Sequence, residues 1–173
     1  MCAQRAMIIL ATNRGKAIKF NENDVRSMGR VTRGVRGIRL DEDDYLIGMA
    51  VERENATLLS VTEKGYGKRS QLSDYRMQTR GGKGIMNYNI TERTGNIAAI
   101  SVVDDNNDIL LLTSGAAVLR TAVSEIPVLS RTTQGVRIVR LEEGVRIIDI
   151  SRTEKEESAE AEKPEESSGT AAE

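Results

Sequence analysis

Seven consecutive residues, Gln78-Thr79-Arg80-Gly81-Gly82-Lys83-Gly84, set three glycines beside two fixed cations. Glycine has no Cβ and tolerates positive φ, so a main chain built this way can pass close to a ligand. Arg and Lys supply charge-assisted hydrogen bonds to phosphate oxygens, Arg as a planar fork and Lys as a point charge. The chemistry implied is recognition of an anionic, phosphate-bearing partner, with Gln78, Arg80, Gly81, Gly82, Lys83 and Gly84 as candidate contacts. The competing reading is a glycine-rich turn between strands, its cations solvated. Two nucleotide-binding patterns are missing. A P-loop needs Gly, four residues and then Gly-Lys-Ser/Thr, but Lys83 is followed by Gly84 and Lys16 by Ala17. The run Gly65-Tyr66-Gly67 leads to Ser70, so it does not complete Gly-x-Gly-x-x-Gly.

Catalytic chemistry has little to work with. The 173 residues contain no His and one Cys, Cys2. The commonest general base is therefore missing, and imidazole or thiolate zinc sites cannot be assembled. A disulfide framework is also impossible, which suits a reducing compartment. The acidic pairs Asp43-Asp44 and Asp104-Asp105 lie in turn-like segments, where carboxylates are ordinarily solvated turn formers. No base is placed to activate a Ser or Tyr. No catalytic residue, metal site or cofactor is expected in the chain. No apolar run approaches the ~18–20 residues of a membrane span, and residues 1–6 lack the apolar core of a secretory signal. The expectation is a soluble, cytoplasmic protein without a membrane partner.

The elements that must position the glycine-rich stretch repeat at about 50 residues. Met7–Phe20, Leu58–Ser70 and Ile109–Thr121 each read as an apolar run, a short turn and a second strand-like run, hence a β-hairpin. Each hairpin ends in a cation, at Lys19, Arg69 (preceded by Lys68) and Arg120. About a dozen residues later comes a Thr-x-Gly signature: Thr32-Arg33-Gly34, Thr79-Arg80-Gly81 and Thr133-Gln134-Gly135. A basic residue follows two places on, at Arg36, Lys83 and Arg137. Each signature is expected to open another strand pair, 35–40 with 46–53, 84–90 with 97–103 and 136–141 with 145–151. Val, Ile, Leu and Thr dominate these runs, as half-buried pleated surfaces favour. The prediction is an all-β, propeller-like fold of about three four-stranded blades, with about twelve strands in all. The units are about 7–56, 57–107 and 108–153, within one domain spanning 1–153.

The formal net charge of −1 averages two unlike parts. Residues 154–173 hold eight Glu and two Lys, while the rest hold 23 basic and 18 acidic residues, a net of +5. The segment 154–173 is too polar to offset ordering entropy and is expected to be a disordered acidic tail. Cations crowd at the repeat period: eight against two anions over 14–39, six against one over 64–83, and four against one over 119–140. In a radial array these clusters would form a basic band along the rim. Stacking platforms for single strands are scarce, since Phe20 and four tyrosines are the only aromatics. Backbone-directed binding to duplex DNA fits this composition better.

The stretch Gln78–Gly84 also resembles the box Gln-Arg-Arg-Gly-Gly-Lys-Gly of the DNA-wrapping C-terminal domain of the gyrase A subunit, matching six of seven positions and departing at Thr79. Glu63–Arg69 and Thr133–Arg137 are similar to that family's late repeats. The resemblance covers residues 7–152. It implies a β-pinwheel, a disc whose blades exchange strands, of which this chain shows the last three of six blades followed by an acidic extension. It implies wrapping of double-stranded DNA around a basic rim, with Lys19, Arg33, Arg36, Lys68, Arg69, Arg120 and Arg137 joining the box as contacts. It implies assembly with the rest of the gyrase A subunit and with the gyrase B subunit, in a holoenzyme whose ATP, Mg2+ and catalytic tyrosine lie on other domains. The related domain of topoisomerase IV and a propeller scaffold for protein partners stand as alternatives.

Overall fold

The computed structural model describes residues 6–155. Each repeat begins with a hairpin: β1 (Met7–Thr12) with β2 (Lys16–Asn21), β4 (Thr57–Thr62) with β5 (Tyr66–Gln71), and β8 (Asn107–Thr113) with β9 (Val118–Ala122). Gly15 and Gly65 take φ of +83° and +80° in the first two turns, and Ala116 takes +60° in the third. A third strand then packs on the first strand of its own hairpin. β3 (Leu46–Val51) pairs with β1, β7 (Ile97–Val103) with β4, and β11 (Ile147–Glu154) with β8, each antiparallel and each with a register shift at one end. A 3-10 turn follows every hairpin, over Glu22–Asp24, Leu72–Asp74 and Val123–Glu125.

The fourth strand corrects the sequence-based pairing. β6 (Ile85–Met86) pairs with β2 of the preceding repeat, and β10 (Val136–Arg137) pairs with β5. The strands at 84–90 and 136–141 therefore do not pair with 97–103 and 145–151. They are two residues long and are handed to the neighbouring sheet. Residues 35–40 form no strand at all. The result is two four-stranded sheets, β3-β1-β2-β6 and β10-β5-β4-β7, and one three-stranded sheet, β11-β8-β9. Eleven strands are formed among the described residues, one fewer than expected. The fold is all-β and propeller-like, with strand exchange between blades. Glu154 closes β11, so the part of the expected tail at 156–173 lies outside the described residues.

Side chains alternate across each strand, so a sheet between two others must be apolar on both faces. β4 shows this directly. Leu58 joins Ile9, Ala11, Ala17 and Val102 in a core between the first and second sheets. Its neighbours Leu59 and Val61 join Ile109, Leu111 and Ile147 in a core between the second and third. The cores thus lie between blades, and the handed-over strand shares them: Ile85 packs on the first and Ile138, just past β10, on the second.

The handover depends on a glycine at each crossing. Gly84 has φ +73°, and a Cβ there would stand 2.6 Å from the Ala17 carbonyl oxygen. Gly135 has φ +68°, with the Gly67 carbonyl oxygen equally close. Gly84→Ala is expected to lower unfolding stability by roughly 1–3 kcal/mol, the cost of a strained non-glycine conformation. Urea denaturation measures it, and an unchanged midpoint would show that the crossing tolerates a side chain.

Candidate nucleic-acid interface

The glycine-rich stretch is the segment that carries the chain from one blade to the next. After the turn at Leu72–Asp74, the backbone of Gln78 donates to the Lys19 carbonyl at 2.8 Å. Arg80 then reaches across, its Nε donating to the Asp24 carbonyl at 2.7 Å and its Nη1 to the Arg36 carbonyl at 2.9 Å. The Gly81 amide donates to the Gly37 carbonyl at 2.6 Å, and the Arg39 amide to the Gly82 carbonyl at 2.8 Å. Gly81 holds φ +79°. The loop at 24–39 is thereby fastened along residues 78–84.

Three of these five bonds recur one blade on. The Leu129 amide donates to the Arg69 carbonyl at 2.8 Å, Arg131 Nη1 to the Met86 carbonyl at 2.6 Å, and the Asn89 amide to the Thr133 carbonyl at 3.2 Å. This recurrence fixes which residues are equivalent. Gly84 matches Gly135, Arg80 matches Arg131, and Lys83 matches Gln134. The Thr-x-Gly alignment of the sequence set Gly81 against Gly135 and so placed the middle copy three residues out of register. Arg36 is the counterpart of Met86 and Arg137, while Arg33 is the counterpart of Lys83. Arg131 escaped notice because its neighbours are threonines rather than glycines, although its distance from Gly135 equals that of Arg80 from Gly84.

Burial and pairing together divide the candidate contacts into two groups, Arg120 and Arg137 being exposed but engaged. Lys68 is 0% exposed, and its ammonium donates to the Ser130 carbonyl at 2.7 Å while lying 5.1 Å from the Tyr88 ring centre. Lys19 is also buried, between Glu52 Oε1 at 2.7 Å and the Leu72 carbonyl. Arg69 is buried too, its Nε on the Ile126 carbonyl and its Nη1 on Asp105. These three are corrected from rim contacts to interior fasteners, because a buried charge must be paired where it stands. Arg80 is likewise engaged by two carbonyls. Arg120 Nε donates to Asp108 at 2.8 Å, and Arg137 Nη2 to the Tyr66 hydroxyl at 2.8 Å, its guanidinium over that ring. The side-chain Nε2 of Gln78 is enclosed, with no partner among the described residues.

The second group faces outward. Arg33, Arg36 and Lys83 are exposed, as are Arg26, Arg30 and Arg39 on the same fastened loop. Among the described residues none of these six side chains makes a hydrogen bond or ion pair. Lys83 and Arg39 still act at a distance: together with Lys16, which is hydrogen-bonded to Asp41 and has the largest effect, they hold the Asp41 carboxyl below its ordinary value. Arg26, Arg30 and Arg39 were visible in the sequence only as part of the charge count over 14–39. The second crossing offers less, because Gln134 replaces the cation and receives Arg93 Nη2 at 2.9 Å.

A family model described as the DNA gyrase C-terminal domain, beta-propeller, matches residues 6–51, 56–104 and 107–154. The chain is 36% identical over 168 residues to the DNA gyrase A subunit of Staphylococcus aureus, covering 96% of this chain and 19% of that protein. It is 35% identical over 144 residues to the DNA gyrase A subunit of Ureaplasma parvum serovar 3, covering 83% and 17%. The chain thus spans less than a fifth of the length of these curated relatives. Among solved structures, a DNA gyrase A C-terminal domain superposes with a TM-score of 0.81 at 29% identity, over 86% of this chain and 51% of that one. The C-terminal domain of a DNA topoisomerase IV superposes with a TM-score of 0.80 at 24% identity, over 87% of this chain and 47% of that one, which is a likeness of fold.

The interior position of Lys68 has a consequence for stability. Burial, assisted by the charge of Arg131 and opposed by Asp74, pushes its pKa down to about 7 from 10.5. From about pH 7 to pH 10 the unfolded chain, with an ordinary lysine, therefore binds more protons than the folded chain. Stability contributed by this residue must rise with pH across that window. Lys68→Met is expected to remove this rise. Urea midpoints of both proteins at several pH values test it, and parallel profiles would contradict the assignment.

Proposed function

Since the chain belongs to the DNA gyrase C-terminal domain family, we propose that it binds and bends duplex DNA as part of the gyrase A subunit. In that role it supports ATP-dependent negative supercoiling by a cytoplasmic holoenzyme with the B subunit, whose ATP and Mg2+ act on other domains. The observation that carries this reading is the exposed set Arg26, Arg30, Arg33, Arg36, Arg39 and Lys83, unpaired among the described residues and gathered along one fastened crossing. Cations already held by carboxylates would have to be released before meeting phosphates. These need no release. Their loops are tied at several backbone points, so binding requires little further ordering. No aromatic side chain lies at these positions, which suits backbone contacts rather than stacking or base readout.

Bending 20–30 base pairs by 40–90° costs on the order of 1–6 kcal/mol. Several phosphate contacts must offset it. The six cations of the first crossing supply them, and the weaker second crossing continues the path through Arg93, Arg137 and Arg140. Identity of 35–36% to gyrase A subunits supports the gyrase reading over the topoisomerase IV one.

Replacing Arg33, Arg36 and Lys83 together with Ala should leave the fold intact and weaken binding to a duplex of ~40 base pairs. The slope of log K against log salt should become shallower by about 0.9 for each phosphate no longer neutralised. Lys68→Met should leave that slope unchanged, since its ammonium is interior. Fluorescence anisotropy titrations at several salt concentrations measure both. A triple variant with unaltered slope would remove these residues from the interface.

A further inference from the structure

A second group of cations stands where the turn between β4 and β5 meets the chain that runs from β10 to β11. Lys64 comes from the turn, Arg137 ends β10, and Arg140 and Arg146 precede β11. All four line one cavity of about 460 Å3. That volume lies within the roughly 300–1,000 Å3 of small-ligand sites. Both walls are seated by main-chain bonds. The Gly65 carbonyl receives the Ile138 and Val139 amides at 2.9 and 3.2 Å, and the Glu63 carbonyl receives the Ile147 amide at 2.8 Å. The cavity is thus internal to the junction of the second and third sheets.

What holds these cations is mostly neutral. Lys64 Nζ donates to the Glu92 carbonyl. Arg137 Nη2 donates to the Tyr66 hydroxyl at 2.8 Å, with its guanidinium 5.2 Å from that ring centre. Arg140 makes no hydrogen bond or ion pair among the described residues. Arg146 has a carboxylate, Glu63, at 4.0 Å, and its own side chain is 68% exposed. A carbonyl or a hydroxyl fixes a cation without cancelling its charge. Glu142 is the single carboxylate of the lining, so a surplus of three positive charges remains. Val139 and Leu141 supply an apolar wall, and such walls focus the field of the charges beside them. The repeat itself does not demand this. The Asn87 and Tyr88 amides on the Gly15 carbonyl, and the Ile97 amide on that of Asn13, fix the equivalent positions one junction earlier. Arg14, Met86, Asn89 and Asn96 stand there, one cation in place of four.

A DNA strand carries a charge about every 3.4 Å along its axis and separates its phosphates by sugars. It meets cations strung along a surface. Cations that surround one cavity converge on a point and call for charge packed more densely. We infer that the cavity between the β4–β5 turn and residues 137–146 binds a compact polyphosphate, an anion with two or three phosphates in direct succession. Lys64 and Arg137 hold it from fixed positions, and Arg140 and Arg146 close on it from the loop. The inference goes beyond the proposal on DNA. Arg137 and Arg140 also stand on the proposed DNA path, so the two ligands are read separately below.

The test is isothermal titration calorimetry of the full 173-residue chain with inorganic triphosphate, in buffer free of divalent cations. The expected result is saturable binding at a single site per chain, with inorganic phosphate bound far more weakly. Arg140→Gln with Arg146→Gln, both at exposed positions, should leave the far-ultraviolet circular dichroism unchanged. It should weaken triphosphate binding by about tenfold or more, the effect of losing charged hydrogen bonds. The variant with Ala at Arg33, Arg36 and Lys83 should bind triphosphate as the wild type does, whatever it does to DNA. A failure of the DNA proposal is therefore distinct from a failure of this one. Binding that does not saturate, triphosphate held no better than phosphate, or an unaltered affinity in the double Gln variant overturns the inference. So does loss of triphosphate binding in the Ala variant, because the anion would then sit on the exposed set rather than in the cavity.

Discussion

Two residues given by one repeat to the sheet before it hold this molecule together. β6 and β10 are too short to form stable ladders by themselves, since hairpins of any length are marginal in isolation. They hold because the whole crossing segment is fastened: a backbone amide to the last strand, an arginine across to the opposite loop, and a glycine against a carbonyl. Once the segment is seated, neighbouring sheets cannot slide apart, and the apolar faces of β1, β4 and β8 become interior. The cores between blades follow from the crossings as much as the crossings follow from them.

The crossings also sort the cations. Covering an edge strand buries whatever stands on it, and Lys19, Lys68 and Arg69 stand on β2 and β5. Each survives burial because a carbonyl or carboxylate faces it, the condition under which a charge can be kept in a low-dielectric interior. What remains for an outside partner is the set the crossings do not use. The loop that receives Arg80 is held by its carbonyls at Asp24 and Arg36, which leaves the side chains of Arg33, Arg36 and Arg39 turned to solvent. Fastening through the main chain and display through the side chain are compatible on one segment.

Much of this was legible in the sequence. Apolar runs broken by Gly15 and Gly65 declare their hairpins, and the period of about 50 residues declares the repeat. The third strands were legible too, as the runs at 46–53, 97–103 and 145–151. Their partners were not. Periodicity tells a strand that one face is buried but not by which neighbour, and Ile85–Met86 is too short to carry any period. The register error at Thr79 has a similar cause: Thr-x-Gly matches letters, whereas the crossing repeats a glycine four residues after an arginine. Burial of Lys68 could not be read from composition, which counts a cation equally wherever it lies.

The glycine pair at 81–82 takes on a different meaning from the one its letters invite. Glycines beside Arg and Lys suggest a backbone that approaches a phosphate. Here Gly81 approaches another backbone, donating to the Gly37 carbonyl at 2.6 Å with the Arg36 carbonyl close by. The next crossing has Thr132 and Thr133 in these places and keeps the Arg131 bond to the Met86 carbonyl and the Asn89 amide bond to the Thr133 carbonyl, so the pair is not required for crossing as such. What it adds is closeness, drawing the 24–39 loop tight against the segment that bears Lys83. The cations of two repeats are thereby gathered at one crossing, where a bent polyanion would need them.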